Sequence, residues 1–129
     1  STPLPLGYIA TQAAMLTPKD IVLESSAGNG FLAIWAEKAG AQLILNELAE
    51  SRRSTLAQLF PNSPLFGHNG EQIHNYLEPN QQPTVALLKQ PFCTSPNMVK
   101  RHGDATFHHL YSALERLPQG GRLVAITAH

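Results

Sequence analysis

Residues 20–30 read Asp-Ile-Val-Leu-Glu-Ser-Ser-Ala-Gly-Asn-Gly: an apolar run that closes on an acid, three small residues and two glycines, with a helical pattern following from Phe31. A strand ending in small residues lets the backbone turn tightly and approach a ligand. The helix that follows offers free amide groups to it. The stretch therefore predicts a nucleotide-type pocket, with a plain strand–helix turn as the alternative, because a lone G-x-G is a weak motif.

Four further apolar runs extend the pattern outward: Gln42 to Leu45, Leu65 to Gly67, Thr84 to Leu88 and Arg122 to Thr127, with the first strand at Ile21 to Leu23. Helical patterns alternate with them. Phe31 to Ala39 carries Leu32, Trp35, Ala36 and Ala39 on one face and stops at Gly40, and a second helix runs from Ala49 to Phe60 before Pro61. Glu71 to Leu77 reads as a short helical turn with Ile73 and Leu77 inward. Asp104 to Leu117 reads as a helix, Gly120-Gly121 as a turn, and the segment from Tyr8 to Leu16 as a leading helix closed by Pro18.

Strands alternating with helices predict an α/β domain with a mostly parallel sheet. We expect one three-layer domain over 1–129, strand order 3-2-1-4-5, with ligand at the carboxyl ends of the strands near the switch point. Glu47 lies just beyond the second strand, seventeen residues after Gly30. In such a sheet it faces the same crevice, where a carboxylate accepts hydrogen bonds from a ribose diol. The alternative is a solvated residue opening the next helix.

Composition narrows the function. The 129 residues are 43% hydrophobic and 14% charged, enough to bury a core, and nine basic against nine acidic residues leave no general attraction to phosphates or anionic membranes. No apolar run approaches the roughly 20 residues that span a bilayer, and no leader opens the chain. The single Cys93 excludes an internal disulfide, so a cytoplasmic protein without membrane contact is expected. The chain opens on Ser1, which leaves a processed chain or a piece of a longer one open. No metal site is expected: His108 and His109 diverge on a helix, and His68, His74 and His102 lack ligand spacing. Cys93 has no recognisable His or acid partner, and Arg52, Arg53, Lys100 and Arg101 read as solvated basic pairs.

The glycine turn, the second strand and the following Asn46-Glu47-Leu48 together resemble the S-adenosylmethionine site of Rossmann-like methyltransferases more than a dinucleotide fingerprint, since Ala33 holds the last position of G-x-G-x-x-G. The resemblance implies that Glu24, Ser26, Ala27, Gly28 and Gly30 surround the methionine part of the cofactor and that Glu47 and Leu48 hold its ribose side. Thr2-Pro3-Leu4-Pro5-Leu6 resembles the segment that completes the methionine pocket in adenine-specific DNA methylases. His68-Asn69-Gly70-Glu71-Gln72-Ile73 is similar to the family's D-A-x-x-I stretch, with Asn69 in place of the acid that reads the adenine amino group. Over nearly the whole chain, the sequence resembles most the methyltransferase domain of bacterial strawberry-notch-like helicase proteins and related plasmid or phage methylases.

One stretch departs from that family. Where amino-methyltransferases carry N-P-P-F/Y or D-P-P-Y after the fourth strand, this chain has Lys89-Gln90-Pro91-Phe92. A charged lysine cannot accept from an amine. The backbone carbonyl of Gln90 remains, one acceptor where two are needed, and Phe92 offers either a stacking surface for a base or core packing. The resemblance thus implies an N6-adenine DNA methylase plan with impaired transfer. The alternatives are a non-catalytic cofactor module of a larger helicase-like or mobile-element protein, or a Rossmann-like domain for another nucleotide. DNA contact would come through a partner or a further domain. Methyltransferases of this class usually continue beyond the fifth strand into a further helix and an antiparallel hairpin, which this sequence is expected to lack, so the edge from Arg122 to Thr127 is a candidate contact for a homodimer or for a missing downstream partner.

Overall fold

A computed structural model describes residues 9, 12, 14–28, 30–91, 112 and 115–128, with the side chains of residues 71, 89–91 and 126–128 left aside. Five strands form one parallel sheet: β1 (Ile21–Glu24), β2 (Gln42–Asn46), β3 (Leu65–Phe66), β4 (Val85–Pro91) and β5 (Arg122–Ala128). Their order is β3-β2-β1-β4-β5, with the switch point between β1 and β4 as expected. Helix α1 (Phe31–Lys38) joins β1 to β2, and α2 (Glu50–Leu59) joins β2 to β3.

The central strands β1, β2 and β4 bury both faces, which is why they read as continuous apolar runs rather than alternating ones. Val22, Leu43, Leu45, Val85 and Leu87 point to one side and pack with Leu32, Ala33 and Ala36 of α1 and with Leu56 and Phe60 around α2. Leu23 and Ile44 point to the other and meet Ile73 and Leu77, from the 3-10 segment Gly70–Asn75 and the turn after it. Ala86 and Leu88 continue that side against Leu117 and Leu123. In α1 the buried residues are Leu32, Ala33 and Ala36, so the inward face is rotated from the expected one. Trp35 is half-buried, with the Lys38 ammonium 5.2 Å from its ring centre.

Several boundaries differ from the sequence reading. Gly67 lies outside β3, Ala49 and Phe60 cap α2, and Leu117 follows the last helical residues. The main difference is at β4, which starts at Val85 and continues to Pro91, in step with β5 from Val85↔Arg122 to Pro91↔Ala128. The altered motif therefore begins inside a strand rather than after one. Proline is tolerated there because the β1 pairing stops at Leu87: the missing N–H falls on the side where no ladder remains.

A buried network fixes the amino ends of the strands. Asp20 accepts from the Thr17 N–H (2.9 Å), the Thr84 hydroxyl (2.8 Å) and the Arg122 guanidinium (2.8 Å), while Arg122 Nε donates to the Ala14 carbonyl (2.7 Å). Burial opposes ionisation of Asp20, but the Thr84 and Thr17 donors and then Arg122 outweigh it and hold the carboxyl below its ordinary range.

Candidate site at the carboxyl ends of β1, β2 and β3

The opposite ends of these strands gather the residues singled out in the sequence. Asn46, the last residue of β2, is buried and acts as a pin: its Nδ2 donates to the Ser25 carbonyl (2.9 Å) and the His68 carbonyl (2.8 Å), and its Oδ1 accepts from the His68 N–H (3.0 Å). Its own carbonyl receives the Ala27 N–H at 2.8 Å. One amide side chain thus holds the turn after β1 and the turn after β3 to the end of β2. The role of Asn46 was not read from sequence; a polar residue closing an otherwise apolar strand was the available signal.

Glu47 follows, 5% exposed. Its Oε1 accepts from the Gly28 N–H (2.8 Å), and its Oε2 from the Ala49 N–H (2.8 Å) and the Arg52 guanidinium (3.3 Å). Burial works against its charge, but the Ala49 and Gly28 N–H groups, followed by Arg52, hold the carboxyl below its ordinary range. Arg53 donates to the Glu47 and Leu48 carbonyls at 3.0 and 3.1 Å. Its guanidinium occupies the space where a side chain on Gly67 would stand. The two arginines expected on a solvated face instead brace the loop after β2. Leu48 itself is well exposed.

The two glycines of the turn have different reasons to be glycine. Both have positive φ, but among the described residues a Cβ on Gly28 would meet nothing within 4 Å, whereas one on Gly30 would stand 2.9 Å from Phe60 Cε2 and 3.2 Å from Leu56 Cδ2. Gly28 borders open space; Gly30 is a packing position under α2. Ala27 is buried in the core and Ser26 is exposed.

Beneath the turn, Glu24 and Ser25 are 2% and 1% exposed, and among the described residues neither Glu24 Oε2 nor Ser25 Oγ has a hydrogen-bond partner. Burial, and then the neighbouring charge of Glu47, push the Glu24 carboxyl well above its ordinary range. The site thus holds two carboxyls shifted in opposite directions, Glu47 toward the ionised form and Glu24 toward the neutral one.

At the β3 end, His68 stacks on Tyr76 with ring centres 3.6 Å apart and planes 7° from parallel. Asn69 is exposed at the start of the 3-10 segment and its carbonyl accepts the Gln72 N–H, while Gly70 is buried. Thr2, Pro3 and Phe92 lie outside the described residues, as do Cys93, Lys100, Arg101, His102, His108, His109 and most of the expected leading and late helices. Of Lys89 and Gln90 the backbone is described. The bond from the Arg122 N–H to the Thr84 carbonyl opens the β4/β5 ladder. Since carbonyls alternate sides along a strand, those of Ala86, Leu88 and Gln90 also point to β5. The Gln90 carbonyl, expected to remain as a free acceptor, is therefore committed to the sheet.

No family model and no curated protein matches the chain. Among solved structures it is similar to an rRNA methylase from Streptococcus thermophilus, with TM-score 0.73 and 19% identity over 100% of this chain and 72% of that one. A protein from Streptococcus mutans solved in complex with SAH gives TM-score 0.69 and 18% identity over 97% and 72%. A type I restriction-modification system methyltransferase subunit, also from S. thermophilus, gives TM-score 0.77 and 16% identity over 100% of this chain and 34% of the subunit. The chain thus spans about a third of that subunit. These likenesses establish a Rossmann-like methyltransferase fold. Among the described residues no helix is long and apolar enough to cross a membrane.

Proposed function

We propose that the chain is an S-adenosylmethionine-binding domain on the plan of the amino-group DNA methylases, with its methyl-transfer site impaired. The observation that carries the cofactor reading is the Glu47 carboxylate, ionised and held against the glycine turn at the carboxyl end of the sheet. Each carboxylate oxygen has two lone pairs. Glu47 Oε1 therefore retains one for a ribose hydroxyl, and a second hydroxyl takes the place of the 3.3 Å Arg52 contact, since Arg52 is half-exposed and free to swing away.

The rest of the site fits such a ligand. Gly28 leaves room for it, and the orphaned Glu24 Oε2 and Ser25 Oγ offer polar atoms beneath the turn for the amino-acid end. In this reading the side-chain oxygen of Asn69 would accept from the adenine amino group, and the exposed Leu48 would supply an apolar surface on the ribose side. Thr2 and Pro3 would complete the methionine pocket. When bound, the cofactor would supply an electrophilic methyl group.

The proposed impairment rests on β4. Amine transfer needs acceptors that orient the nitrogen toward the methyl group, and positioning supplies much of the rate. Here the motif position holds Lys89, a donor, and the Gln90 carbonyl is directed into the β4/β5 ladder. This favours a non-catalytic cofactor module of a larger helicase-like or mobile-element protein, of the strawberry-notch type, over an active methylase. With a net charge of zero, any DNA contact is a local one or comes from a partner or another domain. Alternatively, two copies pair along the β5 edge. Calorimetric titration with S-adenosylmethionine, S-adenosylhomocysteine and NAD tests the cofactor reading: micromolar binding of the sulfur ligands is expected, and binding of NAD alone would overturn it.

A further inference from the structure

Glu24 and Ser25 stand out as buried groups that the fold itself does not use. A carboxyl 2% exposed with an oxygen lacking any partner is expensive to keep, and expensive to charge. Its neighbours give it no counter-ion. In the sheet it lies beside Leu45 of β2 and Leu87 of β4, both apolar. The turn contributes Ser25, and the end of β2 contributes the negative charge of Glu47. Among the described residues, the charge that acts on Glu24 is the negative one of Glu47.

A cation entering from the open space beside Gly28 would reverse this balance, because an opposite charge within about 4–6 Å favours the ionised form. We propose that Glu24 is a proton-coupled recognition group, so that capture of a ligand bearing a free ammonium group expels one proton from the Glu24 carboxyl to solvent. The proton leaves the acid for solvent, and the carboxylate that remains pairs with the ammonium, so the two charges of that pair cancel at Glu24. Two carboxyls divide the work: Glu47, pre-ionised by backbone donors, meets neutral hydroxyls, while Glu24 ionises only when its partner arrives. A ligand without the ammonium leaves the proton in place. This inference rests on the S-adenosylmethionine reading of the site.

The test is isothermal titration in buffers of different ionisation enthalpy, from about pH 5.5 to about 7, where the ligand's own ammonium stays charged. S-adenosylhomocysteine should release close to one proton per site at the acid end of this range. 5′-Methylthioadenosine, which lacks the amino acid, should bind without release, and Glu24→Gln should bind S-adenosylhomocysteine without release. Tight binding by the native chain with no net proton exchange, or release that persists in Glu24→Gln, would overturn the proposal while leaving the cofactor reading intact. If neither sulfur ligand binds, the cofactor reading fails and takes this inference with it.

Discussion

The carboxylate of Glu47 and the backbone amide of Gly28 meet at 2.8 Å across nineteen residues of chain, joining the end of β2 to the glycine turn after β1. Glu47 is therefore both a candidate ligand group and part of the scaffold that shapes the turn. Charge-assisted hydrogen bonds are worth about 1.5–3 kcal/mol, so Glu47→Ala should weaken S-adenosylmethionine binding about tenfold to a hundredfold and also lower thermal stability. Calorimetry on the folded variant checks the first effect. Unchanged affinity would remove Glu47 from the ribose site.

The two turn glycines should separate binding from folding. At Gly30 a methyl group meets Phe60 and Leu56 in a left-handed backbone, so Gly30→Ala should cost about 2–4 kcal/mol of stability. At Gly28 the same change meets no atom and costs only the backbone strain, about 1–2 kcal/mol, yet it intrudes on the ligand space. Urea denaturation together with ligand titration of both variants reads the difference. Equal stability losses would contradict the packing distinction.

Two buried acids should act on stability with opposite sign. Asp20 is held below its ordinary value of 3.8, so it stabilises the fold above that value, and the contribution is lost as pH falls through the lowered one. Asp20→Asn should cost about 1–2 kcal/mol at neutral pH, moderated by the partly exposed Arg122, with the deficit shrinking in acid. Glu24 is raised above 4.5: the folded chain retains a proton that the unfolded chain releases, so this group erodes stability as pH rises past that value. Glu24→Gln should therefore raise the melting temperature at neutral pH, with little change near pH 4.5. Melting curves across this range would show both trends; a destabilised Glu24→Gln at neutral pH would contradict the neutral-acid assignment.

Methyl transfer should be weak or absent in the native chain. Lys89→Asn with Gln90→Pro should recover part of it, because the first change supplies an acceptor. The second removes an N–H directed to β5 and so loosens the end of the β4/β5 ladder. Tritiated-methyl incorporation into unmethylated DNA, with native and doubly substituted protein side by side, is the measurement. Robust turnover by the native chain would refute the impairment and leave Lys89 in need of another role.

The sheet order was legible because the central strands are buried on both faces and the first two crossovers carry helical patterns that end on Gly40 and Pro61. The glycine turn and Glu47 were legible because a ligand crevice at a switch point has a fixed relation to the first two strands. What sequence did not reveal depends on partners distant along the chain. Arg53 reads as a surface cation until the bare Gly67 receives its guanidinium, and Asn46 reads as a strand end until His68 closes on it. The end of β4 was misplaced for a related reason: Pro91 signals a stop, but in a strand paired on one side only it is harmless.

The Asp20 network also carries a consequence for how the chain is made. Arg122 reaches back 102 residues to Asp20 and 108 to the Ala14 carbonyl. During synthesis the first four strands leave the ribosome while the side of β4 that receives β5 is still bare and the Asp20 carboxylate lacks its guanidinium. Because β5 is the last strand made and docks on β4 across 37 residues, from Val85 to Arg122, its arrival is the last event of the sheet. Until then the nascent chain offers an open strand edge to any other chain within reach, so this step is where a holding chaperone would act and where crowded expression would divert the protein into aggregates.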